Sequence, residues 1–223
     1  MHIPDGLVSG PINAAAFVVS AATCGLAVVR ANKTLGERQI PLLGVTAAFI
    51  FAAQMLNFPI AGGTSGHFLG ALLACVLLGP LNAFLVMALV LAIQCLGFAD
   101  GGLTALGTNI FNMGIIGGIV SYGLFQILKS VLPKTRGGFL AAVAVAAWFS
   151  VVLASAVCAL ELHFSGTSPL KIALPAMTAV HVLIGLGEAI ITTVVISVVL
   201  ASRPDLVATW SPSQSKPETS QEA

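Results

Sequence analysis

The chain has 223 residues, of which 57% are hydrophobic and 8% are charged, and its formal net charge is +1. A soluble domain carries about 25% charged residues, so this composition excludes a soluble globular protein and predicts one that crosses a membrane several times. The near-zero charge leaves no basic face for a nucleic acid, so we expect no nucleic-acid partner.

Apolar segments long enough to enter a membrane recur along the chain. We locate seven, at residues 12–30, 40–57, 67–79, 81–98, 107–128, 138–162 and 172–201. A spanning helix needs about 20 mostly apolar residues, and the third segment is short, so we expect it to tilt or to enter only partway. The predicted fold class is an all-α polytopic membrane protein with about seven transmembrane helices, and six is the alternative.

Basic residues in alternate loops predict the orientation of the chain. They follow the first, fifth and last segments: Arg30, Lys33, Arg38, Lys129, Lys134, Arg136 and Arg203. The intervening loops contribute only Lys171. We therefore expect a multi-pass protein of the cell membrane, with its N-terminus outside and its C-terminus in the cytoplasm. Residues 1–205 would form the membrane-embedded region, and the polar residues 206–223 a disordered cytoplasmic tail.

The chain begins with MHIPDG, which has neither the basic start nor the small-residue cleavage site of a secretory signal. We therefore expect Met1 and His2 to remain, with a free amine outside the membrane. An amine, the next amide nitrogen and the Nδ1 of a histidine at position 2 can chelate one ion, and they occupy three corners of a plane. Ni(II) and Cu(II) prefer such square-planar nitrogen fields, whereas zinc prefers a tetrahedral site.

A fourth corner would need one more ligand, and the sequence has three other histidines. His67 ends the motif GGTSGH on the same predicted side as the N-terminus, and it is the favoured candidate. His163 is also predicted outside, but it follows Glu161 in an ordinary interfacial setting and is less favoured. From residue chemistry alone, an incidental start residue and a structural loop histidine remain open alternatives.

Further polar residues lie inside predicted helices. His181 and Glu188 are two helical turns apart and share a face, and ionisable groups inside a membrane are functional candidates. They would support the ligand loops or form an ion path, although an interhelical hydrogen bond explains them equally well. Asn109 and Asn112 pose the same choice, between a bond to a ligand-bearing loop and plain anchoring. No Walker, GxSxG or HExxH motif occurs, so we expect neither an enzyme nor an ATPase in this chain.

Four motifs taken together resemble one family: MHIPDG, GGTSGH, ALGTNIFNMG at 105–114 and HVLIGLGEAIIT. Over about residues 1–201, the chain resembles the CbiM/NikM family, the substrate-binding (S) components of energy-coupling-factor (ECF) transporters for cobalt and nickel. The resemblance implies a seven-helix membrane protein whose N-terminal segment folds into the bundle. It also implies square-planar ligation by the amine of Met1, the amide and ring nitrogens of His2, and the ring of His67.

The resemblance further implies a function and partners. The chain would capture Ni(II) or Co(II) as its transported ligand, with no cofactor of its own, in an ATP-driven importer. Its partners would be a transmembrane T component, two cytoplasmic ATPase subunits and, in some members, a small accessory membrane subunit. The hexapeptide MHIPDG favours nickel over cobalt. The alternative is a self-sufficient secondary metal permease that uses His181 and Glu188.

Overall fold

The computed structural model describes residues 1–211, apart from the side chain of Arg38. Seven helices follow one another in this range: α1 (Gly10–Thr34), α2 (Ile40–Gln54), α3 (Ala71–Leu78), α4 (Pro80–Phe98), α5 (Leu106–Val131), α6 (Arg136–Phe164) and α7 (Leu170–Ser202). A two-stranded antiparallel ribbon, β1 (Phe58–Pro59) and β2 (Ser65–Gly66), lies between α2 and α3. The predicted all-α fold with about seven helices is confirmed.

The outer surfaces of these helices are apolar. Five helices, α1 and α4 to α7, are long and apolar enough to cross a membrane, and α2 is shorter at 15 residues. Large apolar side chains point away from the bundle, and those that are at least 61% exposed include Val18, Leu26, Val45, Leu96 and Leu183. Water would disfavour so large an exposed apolar surface, and lipid would not. The chain is therefore a multi-pass membrane protein.

The third predicted segment is an irregular stretch followed by a short helix. Residues 67–70 have no regular secondary structure, and all eight residues of α3 are buried. At about 1.5 Å per residue, α3 is about 12 Å long and cannot span a bilayer alone. Gly79 ends α3 with a φ of 79°, and Pro80 begins α4. The short segment thus enters the bundle as a buried helix that lies on α4.

The irregular backbone before α3 is satisfied by two buried side chains. Lipid offers no hydrogen bonds, so such backbone is stable in a membrane protein only where protein groups bind it. The Nε2 of Gln54 donates to the carbonyl of Leu69 at 2.7 Å. The carboxylate of Glu188 accepts from the N–H groups of Leu69 and Gly70, at 2.7 Å each. These bonds explain why α2 and α7 carry buried polar residues at these positions.

Residues 1–9, the N-terminal segment, fold into one end of the bundle, as the family resemblance implies. Three loops hold it there. The loop before α3 accepts hydrogen bonds from Met1, the loop before α5 donates from Gly102 to Ile3, and the loop before α7 donates from Thr167 to Leu7. These are the three loops that contain almost no basic residues, so the charge pattern correctly groups them with the N-terminus at one end.

The described part of the predicted tail packs at the opposite end. The N–H of Ala208 donates to the carbonyl of Leu77 at 3.0 Å, and the ring of Trp210 packs edge-on against Phe139 with the centroids 4.9 Å apart. Burying an aromatic ring away from water stabilises the fold, which explains why the chain continues along the bundle after α7. Residues 212–223, the rest of the predicted tail, lie outside the described residues.

Candidate metal centre

The main-chain nitrogen of Met1 lies in the interior of the protein. Met1 is 0% exposed, and its amine donates to the carbonyl oxygen of Ser65 at 2.5 Å and to its Oγ at 2.8 Å. Burial lowers the pKa of this amine from 8.0 to about 5, because a charged amine loses its hydration. A neutral amine can satisfy both Ser65 oxygens with its N–H bonds and keep its lone pair for a metal ion.

His2 places a second main-chain nitrogen and a ring beside this amine. Its N–H donates to the Oγ of Ser65 at 3.0 Å, so one hydroxyl binds the first two nitrogens of the predicted chelate. The ring is buried, and its Nδ1 lies 3.7 Å from the Oδ1 of Asp100. Within residues 1–211, its Nε2 has no hydrogen-bond partner. Chelation through Nδ1 would therefore require the ring to turn about its Cβ–Cγ bond.

His67 adds a second buried ring at the same place. Its Nδ1 lies 2.7 Å from the carbonyl oxygen of Phe68, which accepts only from a protonated Nδ1, so the Nε2 is unprotonated. This Nε2 is buried and has no partner among the described groups. The ring centroids of His2 and His67 are 4.5 Å apart. The structure thus brings together the three residues that the sequence singled out as ligands.

Both rings are held in the neutral form. Burial, reinforced by the charge of the nearby amine, lowers the pKa of His2 from 6.5 to about 3. Burial, the amine, His2 and His181 hold the pKa of His67 well below its usual value. Neutral imidazole is the form that binds metals. An unpaired buried polar group costs about 1–3 kcal/mol, and an ion bound to the Nε2 of His67 would remove this cost at that ring.

Asn109 and Asn112 have different roles in the structure. Asn109 accepts from the N–H of Ile3 at 2.9 Å and donates to its carbonyl at 3.1 Å, as a neighbouring strand would. It therefore fixes the segment that carries Met1 and His2. Asn112 donates instead to the carboxylate of Glu161 on α6, at 2.5 Å.

His181 and Glu188 are both buried on α7. Glu188 binds the backbone just after His67, through Leu69 and Gly70, and so restrains the loop that carries this ring. The Nδ1 of His181 lies 2.7 Å from the carbonyl of Met177 in its own helix. His181 also contributes to the lowered pKa of His67. His163, the less favoured ligand, is partly exposed on α6 with its ring 5.4 Å from that of Phe164.

Two residues at this site escaped the sequence reasoning. Ser65 lies inside GGTSGH, but a loop serine has too many ordinary uses to attract attention. Asp100 lies in the loop before α5, and its side chain is 17% exposed. Its Oδ2 accepts from the Nδ2 of Asn57 at 2.9 Å. The available signal was that an acidic residue is rare in this chain and lies on the predicted side of the N-terminus.

The site differs from an ordinary cluster of metal-binding side chains. In the part of the chain that the structure describes, no group of three or more His, Cys, Asp or Glu side chains could hold a metal ion. An ion bound by His2 and His67 would therefore also need main-chain nitrogens, and the structure offers the amine of Met1 and the amide of His2.

A helical bundle with lipid-facing surfaces and buried nitrogen groups at one end defines a polytopic membrane protein with a candidate metal site. A family model described as "Cobalt uptake substrate-specific transmembrane region" (CbiM) matches residues 2–206. The chain belongs to the CbiM family, and the resemblance carried by the four sequence motifs is confirmed.

Individual relatives agree with this assignment. The chain is 43% identical over 209 residues to a putative fused nickel transport protein NikMN of Archaeoglobus fulgidus, and the match covers 93% of this chain and 68% of the relative. It is 42% identical to a putative metal transport protein of Haloquadratum walsbyi, with 94% of each chain covered. A crystal structure of a truncated transition metal transporter matches with a TM-score of 0.84 at 33% identity, covering 90% of this chain and 99% of that one. The chain is thus a member of a metal-uptake family.

Proposed function

We propose that this protein is the substrate-binding component of an ECF importer that captures Ni(II), or Co(II), outside the cell and delivers it to the cytoplasm. The ion would be held in a square plane by the amine of Met1, the amide nitrogen and Nδ1 of His2, and the Nε2 of His67. One observation carries the proposal: a fully buried terminal amine shares the Oγ of Ser65 with the amide of His2, whose buried ring packs against that of His67. The hexapeptide MHIPDG favours nickel.

The donor set would select among metal ions. Four nitrogens in a plane suit Ni(II), whereas Mg(II) demands six oxygen ligands in an octahedron. The amide must lose its proton to bind, and it then gives up its hydrogen bond to Ser65. One amidate and a divalent ion leave a net charge of about +1 at the site. Such a charge is tolerable at the outer end of the bundle, where the N-terminal segment lies.

Energy for transport would come from partner proteins. The sequence has no Walker motif, so we assign ATP hydrolysis to two cytoplasmic ATPase subunits, coupled through a transmembrane T component and, where present, a small accessory membrane subunit. The basic residues at the end opposite the metal site (Lys129, Lys134 and Arg136 among them) favour a cytoplasmic location for that end. The metal site would then face outside.

The alternative is a secondary permease in which His181 and Glu188 carry the ion. Both carboxylate oxygens of Glu188 accept backbone N–H groups of the stretch after His67. A carboxylate used in this way is not free to bind and release an ion without loosening the loop, and this weighs against the alternative.

Uptake of radioactive nickel distinguishes these two functions. We expect cells that produce this chain with its T component and ATPases to accumulate Ni(II), and cells with ATPases inactivated at the Walker lysine to show only background uptake. The matched control is equal membrane abundance of this chain in both strains. Uptake that persists with inactive ATPases would support the permease instead.

The pH dependence of binding tests whether the amide of His2 loses its proton. In the folded protein the pKa is about 5 for the amine and about 3 for His2, so both groups are already neutral between about pH 6 and 8. Only the amide then has a proton to release, and we expect the Ni(II) affinity to rise about tenfold per pH unit in this range. Calorimetric titration at several pH values measures the slope. A flat profile would show that the amide stays protonated, and a slope near two would show that the amine still carries a proton.

A further inference from the structure

Asp100 stands next to the ring of His2 and has no part in the ligand set. Its Oδ1 lies 3.7 Å from the Nδ1 of His2, and its side chain is 17% exposed against 2% for the ring. Asn57 donates to the Oδ2 at 2.9 Å, and this bond holds the carboxylate with its Oδ1 toward the His2 ring. The carboxylate therefore lies where the buried site meets the surface.

The loop that carries Asp100 is fixed against the N-terminal segment. The N–H of Gly102 donates to the carbonyl of Ile3 at 2.8 Å. Gly101 has a φ of 94°, and a Cβ added to it would lie 3.0 Å from the Nδ2 of Asn109 and 3.5 Å from the Nδ1 of His2. A side chain at this position would therefore be strained and crowded. This packing leaves little freedom in where the backbone presents the neighbouring carboxylate.

The chemistry of the proposed complex calls for a group of this kind. A histidine that binds a metal through one ring nitrogen donates its other N–H to a carboxylate, a carbonyl or water, which fixes the orientation of the ring. For His67 the acceptor is the carbonyl of Phe68. When His2 binds through Nδ1, its Nε2 becomes the donor. In the present orientation the Nδ1 faces Asp100, and a half-turn about the Cβ–Cγ bond would bring the Nε2 to the same edge of the ring, toward this carboxylate.

We propose that Asp100 positions the His2 ring for metal binding, by accepting the hydrogen bond of the ring nitrogen that does not bind the ion. The inference rests on the proposed function and adds a positioning residue to that site. The observed 3.7 Å joins the Nδ1 of His2 to the Oδ1 of Asp100 and is longer than a direct hydrogen bond, so the proposed bond from the Nε2 forms only after the ring has turned to chelate. The negative charge also offsets the net positive charge of the complex.

Three variants test this role by calorimetric Ni(II) titration of the full-length protein with its native N-terminus. We expect Asp100→Ala to weaken binding about 10- to 100-fold, the usual effect of removing such an outer partner. Asp100→Asn keeps an acceptor oxygen without the charge and should lose less. The control is Asp5→Asn, because Asp5 holds the same loop through the N–H groups of Leu103 and Thr104 and should change the affinity by less than threefold, or about 0.6 kcal/mol.

A spectroscopic signature separates positioning from mere loop stability. Square-planar Ni(II) is diamagnetic, so proton NMR of the complex with 15N-labelled histidine can observe the ring N–H of His2. A carboxylate acceptor shifts this proton downfield, and we expect the signal to move upfield in Asp100→Asn while the His67 signal stays in place. Comparable affinity losses in Asp100→Ala and Asp5→Asn, or an unmoved His2 signal, would overturn the inference.

The proposed function can fail separately. If the unmodified protein does not bind Ni(II), the proposed site is wrong before Asp100 is considered. If it binds tightly and both Asp100 variants bind as well, only the positioning role is wrong.

Discussion

Adding a few residues before Met1 should abolish tight Ni(II) binding. The extension converts a basic amine into an amide, which has no lone pair of comparable basicity for the metal. The extension also cannot fit at the main-chain nitrogen of Met1, because Met1 is 0% exposed and this nitrogen is bonded to two oxygens of Ser65. We expect the affinity to fall at least about 1,000-fold, or about 4 kcal/mol, and calorimetric titration of the purified protein measures it.

Two controls make this result specific to the amine. A leader that a protease removes completely should restore binding once Met1 is again the first residue. The same extension attached after Ala223 should leave the affinity unchanged. Equal binding by the extended and native proteins would show that the amine is not a ligand, and the permease alternative built on His181 and Glu188 would then be the stronger hypothesis.

The helices could be predicted from the sequence because lipid imposes simple rules. A spanning helix must satisfy its own backbone and show apolar side chains to the membrane, so length and hydropathy revealed seven segments. The same rules do not apply to residues 67–70, whose backbone is bound by Gln54 and Glu188. Hydrogen bonds between residues so far apart leave no periodic pattern in the sequence. The sequence therefore predicted a short segment here, but not that its first residues are irregular.

The candidate site was predicted only in part, for a related reason. Met1 and His2 are recognisable because their chelate depends on neighbours in sequence, and His67 because histidines are scarce. Ser65 and Asp100 act through contacts that join residues 63 or more positions apart. Only the fold brings such residues together: a loop serine has no distinctive sequence signal, and the rarity of acidic residues was the one signal for Asp100.

Asn109 was singled out from the sequence, but only the structure distinguishes its role from that of Asn112. The motif ALGTNIFNMG places two asparagines near one end of a helix, and spacing alone treats them alike. In the structure Asn109 mimics a strand partner for Ile3, while Asn112 donates to Glu161. The difference arises because the N-terminal segment passes only one of them.

Replacing either of the proposed ligand histidines should also weaken Ni(II) binding strongly. His67→Ala removes the Nε2 that would complete the plane, and His2→Ala removes one ring of the chelate. We expect each to reduce Ni(II) affinity at least about 100-fold, or about 2.7 kcal/mol, in calorimetric titrations of the full-length protein. Because both rings are buried, the melting temperature of each metal-free variant must be compared with that of the unmodified protein.

The other two histidines provide matched controls for this experiment. His163 is partly exposed and packs beside Phe164, so His163→Ala should change little. His181 is fully buried and contributes to the lowered pKa of His67, and His181→Ala should weaken binding less than His67→Ala. If His181→Ala caused the greater loss in a stably folded protein, the ion would have to bind deeper, beside α7. The unpaired Nε2 atoms of His2 and His67 would then need another explanation. The amine of Met1 would stabilise the pocket without binding the ion.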